Sequence, residues 1–172
     1  MPDAPLAAHR MLVINTTPII ALAVATGSLD ILRICYDRVI VPHEVQQEIL
    51  AGGSQAPAVA AFTTDNWLER LTRPQNVPPF LKNSLDSGEA AVIHTALDLG
   101  LGLVCIDEKM GRRVARLHGL AVTGSVGILV KAKQHGFPLN TKEALNRLHR
   151  HGIWLGRDVE SFLSSAGHEL PL

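Results

Sequence analysis

The sequence predicts an α/β fold, with a mostly parallel central sheet of four to five strands and helices on both faces. Three observations predict it. Short apolar runs (LVIN, VIVP, LVCID, LAVTG) have the length of buried strands and not of helices. Helix-length segments opened by polar residues or proline and closed by glycine separate them. The apolar runs end in polar residues, the pattern by which strand ends present groups to a ligand.

Taken in order, LVIN forms the first strand, and Thr17-Pro18 opens a helix, since proline suits the first helical turn and a preceding hydroxyl can cap. Gly27-Ser28 ends that helix and a second runs to about Tyr36. DRVIVP is a buried strand, and Pro42 starts the helix HEVQQEIL, which Gly52-Gly53 stops. An Ala-rich segment leads to WLERLT, an expected edge strand, and RPQNVPPF is a proline-rich loop. Asp86 starts a helix whose Ala90, Ile93 and Leu97 form an apolar stripe. Gly100 and Gly102 close it before the strand LVCID. The basic helix KMGRRVARLHG, the strand LAVTG and the helix VGILVKAKQHG follow, then two short helices from about Thr141 and Arg157. Residues 1–10 are expected to be a loosely ordered extension, and 11–172 a single domain that includes the last two helices.

Composition narrows the function classes. The chain has 172 residues, 47% of them hydrophobic, enough for one sizeable core. Sixteen basic and sixteen acidic residues cancel, so overall charge proposes no partner. Their distribution is uneven: seven Lys or Arg and no acid lie between Lys109 and Lys142, either a solvated surface or a polyanion-binding face. Cys35 and Cys105 sit in apolar surroundings without a CxxC pair, as buried thiols of a reducing compartment do. The eight histidines show no ligand spacing. With no apolar run of about 18 residues and no secretory core at the start, a cytoplasmic protein without a membrane span is expected.

The strand ends single out Asn15-Thr16-Thr17, Asp107-Glu108 and Thr123-Gly124-Ser125. Glu89 lies in the first turn of the helix begun by Asp86, and Glu48 lies on HEVQQEIL. Each has an ordinary structural role open to it: an Asx-turn at Asn15, a capping box of Asp86 with Glu89, an N-cap at Asp107, a solvated helix face for Glu44 and Glu48. The expected architecture aims several of them at one sheet edge. Grouped carboxylates repel and need a cation, and oxygen-only donors suit Mg²⁺ or Mn²⁺. A hard cation beside a basic surface points to phosphate chemistry.

At these residues the chain resembles the PIN-domain family, including VapC-type toxin ribonucleases. VINTTPIIAL, VIVPHEVQQEIL, LDSGEAAVIHTALDLG, LVCIDEKMGRRVAR and LAVTGSVGILVKAK carry the likeness in order, from about Met11 to Gly136. The C-terminal helices also look like those of a poorly characterised branch. The resemblance implies a PIN-like three-layer sandwich and a Mg²⁺- or Mn²⁺-dependent endoribonuclease. By matching motifs the family's acids fall on Glu48, Glu89 and Asp107, with Glu108 as an assisting neighbour. The first-strand acid falls on Asn15, an amide. Asn keeps a carbonyl oxygen for a hard ion but brings no charge. One charge against a divalent ion at about 4 Å, at an effective dielectric near 20, is worth on the order of 8 kcal/mol before desolvation, so a weaker metal site is expected. Two readings stay open: a nuclease with a tuned site, and a degenerate fold that binds RNA or a partner without cutting. A phosphoacceptor receiver shares the α/β layout but needs a Lys at a later strand end, where Thr123-Gly124-Ser125 stands.

The nuclease reading makes Lys109, Arg112, Arg113 and Arg116 RNA-backbone contacts, and Thr17, Thr123 and Ser125 accessory hydroxyls. Family precedent adds a toxin role under a small cognate antitoxin and a homodimer or higher homo-oligomer.

Overall fold

In the computed structural model, residues 10–165 are described, so the expected loose extension over residues 1–10 lies outside the described residues except for Arg10, as do 166–172. The chain runs β1 (Met11–Ile14), α1 (Thr16–Thr26), α2 (Ile31–Cys35), β2 (Arg38–Val41), α3 (His43–Leu50), α4 (Pro57–Thr64), β3 (Glu69–Arg70), α5 (Pro79–Lys82), α6 (Ser87–Asp98), β4 (Leu103–Cys105), α7 (Lys109–Leu117), β5 (Ala121–Thr123), α8 (Ser125–Gln134), α9 (Thr141–Arg150) and α10 (Arg157–Ser165). Every strand pairing is parallel and the sheet order is β3-β2-β1-β4-β5. This is the α/β architecture expected from the alternation of strands and helices, consistent with the PIN fold.

The central position of β1 follows from its composition. Leu12, Val13 and Ile14 are fully buried, as a strand covered on both faces must be. Val39 to Val41 of β2 and Val104 to Ile106 at β4 are buried with them. Helices α1, α2, α8 and α9 pack among themselves, and α6 packs on α3, α5, α7, β1 and β4. At the edge, β3 keeps only two residues, Glu69 and Arg70. Arg38 grips Glu69 through a two-nitrogen fork at 2.7–3.0 Å, which helps to hold so short a strand. Arg10 is tied in as well, its carbonyl accepting from the Asp37 N–H at 2.8 Å.

Three local differences from the sequence reading have physical causes. The Ala-rich segment forms α4 behind Pro57, because alanine carries the best intrinsic propensity and proline sits at its first turn. The proline-rich loop ends in one helical turn, α5, begun by Pro79. In α6 the expected stripe is too narrow: Ala91, Val92 and Ala96 are buried along with Ala90 and Ile93, whereas Leu97 is 39% exposed. A helix wedged between a sheet and three other helices loses the one-sided pattern. Both cysteines are buried free thiols, and burial holds their pKa values up. Among the described residues no helix is long and apolar enough to cross a membrane.

The strand order reverses direction of growth at β1, with β2 and β3 added on one side and β4 and β5 on the other. The crevice beyond the ends of β1 and β4 is therefore the topological switch point. Asn15 and Asp107 follow those two strand ends.

Candidate active site

The β1–β4 ladder continues one residue past the sheet: the Asn15 N–H donates to the Cys105 carbonyl at 3.0 Å. This fixes Asn15 at the N-cap of α1, yet its side chain makes no capping bond. It is 2% exposed, its Nδ2 donates to Glu108 Oε2 at 3.5 Å, and its Oδ1 has no partner. The Asx-turn reading is thereby excluded. A buried carbonyl without a donor is rare enough to need a cause.

Glu48, on α3, reaches the same place. The Thr16 hydroxyl donates to Glu48 Oε2, and the glycine of α6, Gly88, leaves room for the carboxylate. A Cβ at Gly88 would stand 2.7 and 2.9 Å from the Glu48 oxygens and 2.8 Å from Asn15 Oδ1. The orphan amide oxygen and the Glu48 carboxylate thus face one spot.

Glu89 follows Gly88 and does two things. It closes the capping box expected from the sequence: its N–H donates to Asp86 Oδ1 at 2.8 Å, and its Oε2 accepts from the Asp86 N–H at 3.3 Å. It is also 5% exposed and pressed against Gly111 of α7, where a Cβ would meet Glu89 Oε1 at 2.5 Å. Burial pushes its carboxyl up, the Asp86 charge adds to this, the Asp86 backbone hydrogen bond opposes it, Glu108 raises it further, and the Gly111 backbone hydrogen bond lowers it.

Asp107 does not cap the basic helix, whose N-cap is Glu108. It reaches across to α8, where Oδ1 accepts from the Ser125 N–H at 2.8 Å. Gly124 again makes the approach possible, since a Cβ there would lie 2.7 Å from Asp107 Oδ1. Burial raises the Asp107 carboxyl, Ser125 hydrogen bonds lower it, Glu108 raises it and Arg112 lowers it, with a net rise.

Glu108 links the two halves. It receives the Thr17 hydroxyl on Oε1 and the Asn15 amide on Oε2, and its charge acts on both Glu89 and Asp107. The sequence reading made it a neighbour; the geometry makes it central. Thr16 and Gly124 were named only as members of strand tips, and Gly88 and Gly111 were given no part in the site. Gly88 and Gly111 carried a signal, since glycine inside a helix costs about 1 kcal/mol relative to alanine and wants a reason.

The basic residues divide. Lys109, Arg113 and Arg116 are exposed on α7. Arg112 is not directed at the surface: its Nη1 donates to the Ile106 and Thr123 carbonyls at 2.8 and 3.1 Å, tying the ends of β4 and β5 together. Thr17 holds Glu108, Ser125 is buried beside Asp107, and the Thr123 hydroxyl only grazes the Gly124 carbonyl at 3.5 Å.

Among the described residues no three His, Cys, Asp or Glu side chains are close enough to form a ready-made metal cage. The donors present still fit a hard ion. They are all oxygens, one of them is an unpartnered buried carbonyl, and Glu89 and Asp107 carry charges that burial leaves under-compensated. Mg²⁺ commonly binds through one or two carboxylates and keeps several waters, so a complete protein cage is not required.

Two comparisons with known proteins bear on this site. No curated protein matches the chain. A family model described as "DUF3368: PIN domain" matches residues 11–168, a span that includes all five strands and every residue of the site. The chain belongs to the PIN-domain family.

Proposed function

We propose that this protein is a Mg²⁺- or Mn²⁺-dependent endoribonuclease. PIN domains are generally nucleases and typically metal-dependent. The observation that carries the reading is the unpartnered, buried Oδ1 of Asn15 facing the Glu48 carboxylate at the switch point, with Glu108 hydrogen-bonded to the same amide.

Asn15, Glu48, Glu89, Asp107 and Glu108 are the residues whose oxygens would hold the ion, directly or through its waters. The chemistry a bound ion supplies there is polarisation of a phosphoryl oxygen and a lowered pKa for water. The chain's own groups do the rest. Thr16 and Thr17 orient Glu48 and Glu108 by donating to them. Glu89 and Asp107, with carboxyls raised by burial, are suited to accept the proton of an attacking water, and the Asp86 and Ser125 N–H groups fix where they stand. Lys109, Arg113 and Arg116 bind the strand through its phosphates, which gives affinity without sequence choice. Arg112 keeps β4 and β5 aligned beneath them. A toxin role under a small cognate antitoxin, a homodimer or higher homo-oligomer and a cytoplasmic location complete the reading.

The test is cleavage of single-stranded RNA by purified protein with Mg²⁺ or Mn²⁺ and its abolition by EDTA. Glu89→Gln should lower the rate at least a hundredfold; equal rates would sink this assignment. A second reading, an RNA-binding module that does not cut, is favoured by the neutral Asn15. It expects RNA retention without turnover, and no gain of cleavage in Asn15→Asp.

A further inference from the structure

A groove of about 640 Å³ opens beside Asp107 and runs away from the acids, between the ends of β5 and α8 on one side and α10 on the other. Its volume lies in the ~300–1,000 Å³ range of pockets that hold small ligands. The walls are apolar: Val122 and Val126 face Val159 and Phe162. Gly127 keeps the floor low, since a Cβ there would strike the Thr123 hydroxyl at 2.6 Å.

The wall on α10 is built rather than draped. Leu163 is fully buried and anchors the helix, while Glu160 bonds His149 of α9 at 2.8 Å. Turning Leu163 inward leaves its neighbour Phe162 turned outward, 58% exposed. Asp158 and Phe162 are four residues apart and share a helix face with Val159. An aromatic ring is thus held at the mouth of an apolar slot whose inner end is a catalytic carboxylate.

From this we propose that the groove is a base-binding subsite: it receives one nucleobase of a single-stranded RNA, stacked on Phe162, when the adjoining phosphate lies at Asp107. The inference rests on the ribonuclease reading. The occupant follows from charge and shape. Among the described residues of the lining, Asp107 and Asp158 are the carboxylates, and the one cation, Arg112, is already spent on backbone carbonyls. The slot therefore offers a phosphate no free cation, while its apolar walls and exposed Phe162 ring accept a flat neutral base. Every base has a π-face, so stacking here strengthens binding without selecting a sequence. The subsite gives the enzyme register: it sets which phosphodiester, counted from the stacked base, reaches the acids.

The full chain is titrated in Ca²⁺, a hard ion that takes oxygen ligands but is a poorer Lewis acid than Mg²⁺, so that the phosphate is held at the acids while cutting is slow, with short single-stranded RNAs that each carry one abasic nucleotide at a different position. One abasic position should weaken binding about tenfold, the size expected for a single base–aromatic stack. Phe162→Ala should weaken the intact strand by a similar factor and erase that positional penalty, and Phe162→Trp should restore it. Equal affinity of wild type for all abasic strands, or an unchanged positional penalty in Phe162→Ala, overturns the subsite. So does an Ala variant whose affinity for the intact strand is unchanged, the result expected if the groove instead takes an apolar side chain of a protein partner. A parallel arm with Mn²⁺ scores cleavage by wild type. Cutting without a Phe162 effect removes the subsite alone, and the positional effect without cutting removes the nuclease reading alone.

Discussion

Gly88 shows how little space separates the groups of the site. An alanine there gains helix propensity, worth up to about 1 kcal/mol in α6, but its methyl falls among the oxygens of Glu48 and Asn15. Glu48 is exposed and flexible, so it is the group that moves. Gly88→Ala should therefore leave Tm within a few degrees of wild type and lower RNA cleavage at least tenfold, as side-by-side thermal melts and rate assays would show. Glu89 gives a pH prediction with a definite sign. Burial raises its folded carboxyl above the unfolded value, so between those two values the folded state holds the extra proton. Stability of the metal-free protein then falls as pH rises through that window and levels off above it. Glu89→Gln keeps the acceptor for the Asp86 N–H and removes the charge. It should flatten that dependence and raise Tm at neutral pH, as melts of the two proteins across pH would show.

At the scale of elements, α6 depends on its first turn. The capping box was legible in DSGE, because a side-chain acceptor three residues before a carboxylate is a local pattern that needs no tertiary contact. Asp86→Ala removes the acceptor for the Glu89 N–H and should cost about 1 kcal/mol, or ~2–4 °C in Tm. It also loosens the carboxylate it helped to position, so the rate should fall by more than stability predicts. Helix α7 taught the opposite lesson. KMGRRVAR reads as a uniform basic face, yet Arg112 turns inward to two backbone carbonyls while Arg113 stays exposed. Neighbouring residues on a helix point about 100° apart. Composition sees their charge but not which one finds a buried acceptor.

For the molecule as a whole, the reading joins an acidic crevice to a basic helix and an apolar groove. RNA affinity should fall steeply with salt, and each phosphate contact on single-stranded RNA contributes a slope of about −0.7 in log K against log salt. Arg113→Gln with Arg116→Gln should reduce the magnitude of that slope by about 1.4 in fluorescence-anisotropy titrations, without changing the fold. Arg112→Gln should instead lower Tm, because it strips donors from Ile106 and Thr123. Opposite outcomes for adjacent arginines would confirm the division of labour.

The sequence alone determined the α/β class, the parallel sheet and the residues that end its strands. Buried strands need continuous apolar runs, and parallel pairs need helical crossovers, so both are written in local pattern. It also named Asn15, Glu48, Glu89, Asp107 and Glu108 as candidates. Only the tertiary structure decided which oxygens face one another: Asn15 toward Glu48 across Gly88, Glu108 between the remaining acids, and Asp107 toward Ser125. Those relations join residues up to 93 positions apart. They depend on helix packing at the ångström scale, where the absence of one methyl group admits a carboxylate, and no periodicity along the chain encodes that distance.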